Sequence, residues 1–531
     1  MRIYIIFCKF LLLTFCKNII LIMQNSTKRA NDFLKIANEF KLGELTTESR
    51  HPLTMNLSTL SQTELIKAIS ILKNIDLGIF EVLEKKVDTI LELQELFLKT
   101  IGDGNRIFFS GCGSTGRLSL TLEFLWRQSN HSHKESVIGL MAGGDSALIK
   151  AIEDFEDHPE YARHHLMDLG FKDGDLLVGS SEGGETPFVI GSVEYALKHS
   201  KIKPWFVYCN PDSELLKTTT RSKDIISNPN VKKFNLTVGP MAISGSTRMQ
   251  ASTIILFALG LALLSTDKSA VSKSLSNLKN KMIDLDYGFL KAFIEEEFNC
   301  YEQGVFINYH TNNLGITILT DTTERAPTFN LTPFENHLNQ DDLPALSNLY
   351  IMDVHSSKEA WNYLLKRNPR CLNWKEFPIT HLDYFYGFDI SMKNHERRKR
   401  ILKKSKCVSF NILEDGENIT WSLNKQSTVT SCKGLTLLEK HLLLKMLLNI
   451  HSTLIMGKMN RYEGNLMTFV KPSCNKLIDR AIRYVTHLLK DKGVTKSYDE
   501  ICFALFAELE NISPSEPIVL RTLSRLLSVR N

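Results

Sequence analysis

The sequence lacks the cysteine and histidine patterns that bind metals or build a disulfide framework. Its ten cysteines form no Cys-X-X-Cys pair, and its 15 histidines are scattered along the chain. His164 and His165 are adjacent on a predicted helix, so they cannot both face one ion. We therefore predict reduced thiols, a cytoplasmic location, and neither a metal nor another cofactor.

Extended basic tracts are also missing. The 64 Lys and Arg residues nearly balance the 59 Asp and Glu residues, which leaves a formal charge of +5. We interpret the short run Arg397–Arg400 as a solvated helix face, with a nucleic-acid contact as the alternative. Because nucleic-acid binding relies on larger basic surfaces, we predict no nucleic-acid partner. With 43% hydrophobic and 23% charged residues, the 531-residue chain can bury two or three cores.

Uninterrupted apolar segments of transmembrane length are absent as well. Residues 1–22 are strongly apolar, but Lys9 and Lys17 interrupt them, and no small-residue cleavage pattern is present. We interpret this segment as a weak hydrophobic anchor or as a non-native start before Met23, and we favour the second. The apolar run 252–264 is too short to span a bilayer comfortably. We predict a buried helix there and no membrane partner.

What the sequence does contain is a change of hydrophobic period along the chain. Between residues 61 and 98, apolar side chains recur at helical spacing. From Arg106 onward, short apolar strands alternate with helices, an order typical of a parallel, doubly wound sheet. The same order returns more faintly between residues 304 and 413, where the first loop has lost its glycines. Beyond Leu435 the pattern is helical again.

These patterns predict an α/β fold with two doubly wound parallel-sheet domains and helical segments at both ends; the pseudo-dimeric arrangement of the two domains is implied by the resemblance described below. The predicted ranges are 1–22 for the apolar start, 23–100 for a helical region, 101–266 for the first α/β half, 267–435 for the second half, and 436–531 for a C-terminal helical domain. Within the first half, we predict a helix over residues 146–157 (SALIKAIEDFED).

Three loops rich in glycine and hydroxyl groups belong to the first half. In the first loop, residues 111–116, we predict that Gly113, Ser114 and Thr115 bind a phosphate. Glycines let the backbone approach a ligand closely, and the following helix points its N-terminal N–H groups at an anion. The loop lacks the lysine of a P-loop and the spacing of a dinucleotide fingerprint. A tight strand-to-helix turn without a ligand is the alternative.

The second loop covers residues 181–187, and the third covers residues 244–248. Loops at the carboxyl ends of neighbouring parallel strands face one crevice. Each loop alone is also explained as a helix cap, whereas the three together favour a sugar phosphate as the small-molecule partner. The candidate binding residues in these two loops are Ser181, Gly183, Glu185, Ser246 and Thr247.

These motifs, in this order, resemble the sugar isomerase (SIS) domain proteins, and among them the N-acetylmuramic acid 6-phosphate etherases and the glucokinase regulatory proteins. The matching runs are TESRHP at 47–52, GCGSTGRL at 111–118, VGSSEGGETPFVIG at 178–191, VGPMAISGSTRM at 238–249 and LLNIHSTLIMGKM at 447–459. The etherases are single-SIS chains that pair as dimers, whereas two units in one chain resemble the regulatory proteins. The resemblance implies a monomeric pseudo-dimer or a homo-oligomer.

The resemblance also implies functions for individual residues. Ser114, Thr115 and Ser181 fall on positions that contact the sugar phosphate. Lys476 matches a lysine from the C-terminal helices that reaches the ligand. Glu156 falls on the glutamate that both families share.

A second etherase glutamate lies nine residues beyond the last glycine of the first loop, where this chain has Leu125. The same count beyond Gly315 in the second half reaches Glu324. We predict that Glu324 projects into the site of the first half and forms a catalytic pair with Glu156.

Three positions depart from the etherase pattern, and they leave the function open. Gly183 replaces a serine, Glu185 replaces a residue that is usually basic, and Gln250 replaces a lysine. One function is a carbon–oxygen lyase of the etherase type, with Glu156 as base and Glu324 as acid. The other is a non-catalytic sensor that binds fructose phosphates and inhibits a sugar kinase. An aldose–ketose isomerase is a third option.

Overall fold

The structure is a computed structural model that describes residues 25–129, 132–152, 155–339, 341–402, 406–513 and 515–528. The chain divides into two compact units. The central unit consists of Glu44–Asn465, and the terminal unit combines Met1–Gly43 with Leu466–Asn531. The apolar segment 1–22 lies outside the described residues, and the five domain ranges stay predictions.

Helices account for most of the described secondary structure. In chain order they are α1 (25–36), α2 (Leu57–Thr63), α3 (Leu65–Glu84), α4 (Val87–Gly102), α5 (Ser114–Ser129), α6 (Pro159–Asp168), α7 (Pro187–His199), α8 (Asp212–Thr218), α9 (Thr220–Ser227), α10 (Gln250–Leu264), α11 (Lys268–Asp284), α12 (Leu290–Glu302), α13 (Gly315–Phe329), α14 (Ser357–Leu365), α15 (Leu382–Phe385), α16 (Met392–Ile401), α17 (Leu437–Lys458), α18 (Asn475–Asp491), α19 (Tyr498–Leu509) and α20 (Ile518–Ser528). The helical spacing between residues 61 and 98 is confirmed by α2, α3 and α4.

The first sheet is parallel, which confirms the predicted fold class for this half. Its strands are β1 (Ile107–Gly111), β2 (Val137–Met141), β3 (Leu176–Ser180), β4 (Trp205–Tyr208) and β5 (Lys232–Asn235). They lie in the order β2-β1-β3-β4-β5. The first four are buried throughout, and α4, α5, α7 and α10 pack against them. The strand order reverses between β1 and β3, where doubly wound sheets bind ligands.

The second sheet is mixed, which corrects the prediction of two parallel sheets. Its strands are β6 (Phe306–Thr311), β7 (Ser347–Ile351), β8 (Cys407–Asp415), β9 (Asn418–Leu423) and β10 (Gln426–Ser431), in the order β10-β9-β8-β6-β7. Strands β6, β7 and β8 are parallel, whereas β9 and β10 pair antiparallel. Two-residue turns cause this change, with φ of +59° at Gly416 and +51° at Asn424. The short strands β11 (Tyr462–Glu463) and β12 (Leu466–Met467) follow α17.

The core of the central unit is built around two buried helices. Helix α10 is buried over almost its whole length, which confirms the buried helix predicted at 252–264. Helix α17 begins with a capping box formed by Thr436 and Glu439, and it packs against α2, α3, α10, α12 and α13. It therefore touches helices of both halves. Across the residues that the structure describes, no helix is both long and apolar enough to cross a membrane.

The helix predicted over residues 146–157 is wrong for the part of this range that the structure describes; residues 153 and 154 lie outside it. Asp145–Leu148 forms a 3-10 helix, residues 155–157 form a turn, and α6 begins only at Pro159. Phe155 explains the difference, because its ring packs among the rings of Tyr161, Trp374 and Phe377 at centroid distances of 4.7 to 5.8 Å. These tertiary contacts override the local helix propensity of the acidic segment.

Candidate functional site

The first predicted loop is a sharp turn between β1 and α5. A Cβ on Gly111 would lie 2.2 Å from the Thr115 carbonyl carbon, so the turn requires glycine there. Gly113 has a φ of +55°, a left-handed conformation that also favours glycine. The Thr115 hydroxyl donates to the Cys112 carbonyl and accepts from the Cys112 N–H, each at 2.9 Å. Thr115 therefore fixes the turn and leaves the half-exposed Ser114 hydroxyl at its surface.

The second loop is organised around the fully buried Ser181 hydroxyl. Its oxygen accepts hydrogen bonds from the N–H groups of residues 184–186 at 3.1 to 3.3 Å. The same oxygen lies 2.8 Å from the Thr186 hydroxyl oxygen. Ser114 of the first loop donates to Glu182 Oε1 at 2.6 Å. The two loops after β1 and β3 therefore lie side by side at the point where the strand order reverses.

The third loop is joined to the second by the N-terminal segment of the central unit. The N–H of Gly245 donates to the Thr47 carbonyl at 3.1 Å, and the Thr47 N–H donates to Asn210 Oδ1 at 2.9 Å. Asn210 Nδ2 in turn donates to the carbonyl of Gly183 in the second loop at 2.9 Å. Ser246 is buried within the third loop. The structure thus brings all three loops together at one edge of the first sheet.

Two of the departures from the etherase pattern have structural partners. Glu185 is 1% exposed, and its Oε2 lies 2.8 Å from Nη2 of Arg221 on α9. This buried ion pair balances the negative charge that Glu185 brings to the second loop. Gln250 accepts from the Ala242 N–H and donates to the Pro240 carbonyl, both at 3.0 Å. Gln250 therefore holds the backbone at Pro240 and Ala242 in place, and Glu185 has its negative charge paired by Arg221.

Glu324 of the second half lies near Arg117 of the first half, where α13 packs against α5. Burial raises the pKa of the Glu324 carboxyl above its ordinary value, and the nearby charges of Arg117 and Lys445 oppose that rise. The Arg117 guanidinium donates to the Gly113 carbonyl and to the Thr323 hydroxyl, both at 3.4 Å. One arginine therefore connects the first loop with the helical turn that carries Glu324.

Sequence reasoning does not identify Lys445 and Arg248 as part of this buried cluster. The Lys445 ammonium donates to the Arg248 carbonyl at 2.8 Å and to the Thr253 hydroxyl at 3.1 Å. The Arg248 guanidinium pairs with Asp321, one turn before Glu324, at 3.3 Å. The available signal was a lone charge within the apolar run LLLKMLL of α17.

Glu156 is half-buried in the turn that precedes α6. Its carbonyl accepts from the Phe188 N–H at 3.1 Å, which holds the turn at the start of α7, directly after the second loop. The neighbouring Phe155 ring contacts Trp374 and Phe377, two residues of the second half. Aromatic residues of the second half therefore contact the turn that carries Glu156. The second half also places Glu324 near Arg117 of the first half.

Two further predicted positions lie elsewhere. Leu125, nine residues beyond Gly116, is fully buried in α5. Lys476 lies on α18 in the terminal unit, and its contact with a ligand stays a prediction.

The first sheet and its three loops define a SIS domain. A family model described as the glucokinase regulatory protein N-terminal SIS domain matches residues 89–197, a range that contains the first two loops and Glu156. Among solved structures, the C-terminal domain of glucosamine-fructose-6-phosphate aminotransferase from Francisella tularensis gives a TM-score of 0.36 at 13% identity, over 71% of this chain and 94% of that chain.

Curated relatives of the chain are N-acetylmuramic acid 6-phosphate etherases. One from Photobacterium profundum is 31% identical over 245 residues, which are 46% of this chain and 75% of the relative. Another from Photorhabdus laumondii is 32% identical over 216 residues, which are 40% of this chain. This chain spans 66% of that relative, slightly less than two thirds. The chain belongs to the N-acetylmuramic acid 6-phosphate etherase family of SIS domain proteins, which confirms the resemblance.

Proposed function

We propose that the chain binds a phosphorylated amino sugar at the three loops and acts as a carbon–oxygen lyase of the etherase type. The substrate is N-acetylmuramic acid 6-phosphate, and the products are N-acetylglucosamine 6-phosphate and D-lactate. The observation that supports this proposal is the placement of Glu324, a buried carboxyl near Arg117, which itself bonds to the first loop. The proposed location is the cytoplasm.

In this proposal, the first loop holds the phosphate. The N-terminal N–H groups of α5 and the Ser114 hydroxyl face the anion, and the α5 helix dipole favours its negative charge. The Ser114 hydroxyl, which donates to Glu182 Oε1 at 2.6 Å, exchanges that carboxylate for a phosphate oxygen on binding. Thr115 and Ser181 contribute by fixing the two loops.

The proposed chemistry divides between two carboxyl groups in unlike environments. Glu156, half-buried, removes the proton from the carbon next to the open-chain aldehyde. Glu324, whose pKa is raised by burial, donates its proton to the departing lactyl oxygen. It then accepts a proton from the water that adds to the double bond, and Glu156 returns its proton to the neighbouring carbon. Arg117 and Lys445 stabilise the Glu324 carboxylate between these steps.

Lactate release from N-acetylmuramic acid 6-phosphate by the purified full chain tests this function. We expect lactate from the wild type and a loss of about 100-fold to 10,000-fold in kcat for Glu324→Gln, with substrate affinity retained. The exposed Glu359→Gln on α14 is the matched control, with unchanged turnover. A folded wild-type protein that releases no lactate refutes the lyase proposal.

A second candidate is a sensor that binds fructose phosphates and inhibits a sugar kinase. It is favoured by the match to the regulatory-protein family model over residues 89–197 and by the two sheets within one chain. Glu185 stands where the etherases usually have a basic residue, and it pairs with Arg221. This change also fits a site that binds a ligand without turning it over. Inhibition of a sugar kinase that responds to fructose 6-phosphate, with no lactate release, would select this candidate.

A further inference from the structure

A cavity lies at the second sheet, away from the three loops. It has a volume of about 450 Å³ and opens between the start of α14 and one face of α16, beyond the carboxyl end of β7. A cavity of this size accommodates a small ligand such as a hexose phosphate. The lining residues that matter here are His337, Ser357, Tyr386, Lys393, Asn394, Arg397 and Arg400.

Three cationic side chains reach this cavity from one face of α16. Lys393, Arg397 and Arg400 are spaced i, i+4 and i+7, so they project in the same direction from the helix. Arg397 is half-buried and donates to the His337 carbonyl at 3.2 Å. Lys393 and Arg400 are exposed, and neither forms an ion pair with any residue that the structure describes. Two cations therefore face the cavity without a carboxylate partner.

The other cations of α16 are paired. Arg398 is 3% exposed, and its guanidinium pairs with Glu335. Lys399 pairs with Glu396 at 3.5 Å. The interpretation of Arg397–Arg400 as a solvated face is therefore wrong at Arg398, which is buried. Within α16, Arg398 and Lys399 are therefore held in ion pairs, whereas Lys393, Arg397 and Arg400 face the cavity.

The start of α14 adds a further attraction for an anion. The N-cap residue Ser356 accepts from the Glu359 N–H, so the N–H groups of Ser357 and Lys358 have no partner within the helix. Ser357 lines the cavity, and the positive end of the helix dipole lies at this position.

Carboxylates near the cavity do not cancel these charges. Asp383 and Asp389 also line it, but Asp389 accepts from the Ser391 N–H at 2.8 Å near the start of α16. An adjoining recess shares His355 and Lys393 with this cavity, but it is also lined by the carboxylates of Asp353 and Glu396. Because these carboxylates repel anions, the recess does not favour a phosphate. Three cations and a helix N-terminus against two carboxylates leave the cavity between α14 and α16 positive.

We propose that this cavity is a second ligand site, which binds a phosphate monoester independently of the three loops. The cations of α16 and the first turn of α14 hold the phosphate, because charge-assisted hydrogen bonds to phosphate are the strongest available to these groups. Asn394, Tyr386 and His337 offer polar groups to an attached sugar. The site stands whether or not the chain is a lyase.

Isothermal titration of the full chain with fructose 6-phosphate tests the site. We expect the triple variant Lys393→Gln/Arg397→Gln/Arg400→Gln to bind one equivalent fewer than the wild type. Ser114→Glu, which places a charge in the first loop, should retain the equivalent that the triple variant loses. Binding at the second site should weaken at least tenfold in the triple variant, whereas Lys399→Gln should match the wild type. Titration with inorganic phosphate shows whether the phosphate group alone accounts for the affinity.

Two results overturn the proposal. One is a triple variant that binds fructose 6-phosphate with the stoichiometry and affinity of the wild type. The other is complete loss of binding in Ser114→Glu, because all affinity would then belong to the first loop. Circular dichroism of each variant identifies loss of folding, and the single variant Arg400→Gln, at an exposed position, repeats the test with little risk to the fold.

Discussion

Replacing Glu123 with glutamine tests how the two halves of the central unit are held together. Glu123 on α5 is 1% exposed, and its carboxylate lies 2.8 Å from both Arg127 and Arg370 and 3.1 Å from Arg367. It also accepts from the Gly139 N–H at 3.1 Å. Arg367 and Arg370 belong to the second half, so the buried Glu123 carboxylate on α5 links the first half to the second.

The magnitude follows from the protonation equilibrium of this carboxyl. Burial by itself raises the pKa of Glu123, but Arg367, Arg370 and Arg127 outweigh it and lower the pKa from 4.5 to about 2. This lowering corresponds to about 3 kcal/mol of folding stability. Because the folded-state pKa is depressed, the contribution is complete above pH 4.5 and is lost as the pH falls toward 2. Removing one partner of a buried ion pair typically costs about 3 to 5 kcal/mol.

We therefore expect Glu123→Gln to lose about 3 kcal/mol at pH 7, and the difference from the wild type to shrink by about 2 kcal/mol at pH 3. Urea denaturation followed by tryptophan fluorescence at both pH values measures this. Glu135→Gln is the matched control, because Glu135 also bonds to Arg127 but is 79% exposed, and it should cost less than about 1 kcal/mol. A loss below about 1 kcal/mol for Glu123→Gln, or an equal loss at both pH values, contradicts the reasoning.

Two further predictions concern packing near the site. Trp374→Ala removes the ring that stacks on Phe155 at 5.8 Å, and it should cost about 3 to 5 kcal/mol in the free energy of unfolding. Hydrogen exchange should then accelerate at residues 155–157, and unchanged exchange there would show that Trp374 does not hold the turn. Gly111→Ala places a Cβ 2.2 Å from the Thr115 backbone, so we expect a loss of at least about 2 kcal/mol by thermal denaturation. Gly78→Ala, in α3 with nothing within 4 Å, should instead stabilise by about 0.5 to 1 kcal/mol, and equal effects of the two alanines would refute the assigned clash.

The features that sequence predicts well are those with a local signature. The loop at 111–116 follows an apolar strand and precedes a helix, and the run 252–264 is apolar apart from Ser252 and Thr253 at its start. The turn at 155–157 has no such signature, because Phe155 is held by Trp374, which is far away in the chain. The antiparallel hairpins of the second sheet had a local signal in Asp415-Gly416, but alternating strands and helices alone predict a parallel sheet.

The cost of burying a charge gives a physical reason why the first half has Leu125 at the position where the second half has Glu324. Helix α5 follows the glycine loop and carries Arg117, but nine residues beyond Gly116 it has the buried, apolar Leu125. Helix α13 carries Glu324 and lacks the glycine loop. A buried carboxylate is costly unless cations accompany it, and the charges of Arg117, Lys445 and Arg248 accompany Glu324 in this way. In the function proposed above, the site draws on this one cluster, whereas the apolar Leu125 is buried in α5 without the desolvation cost of a carboxylate.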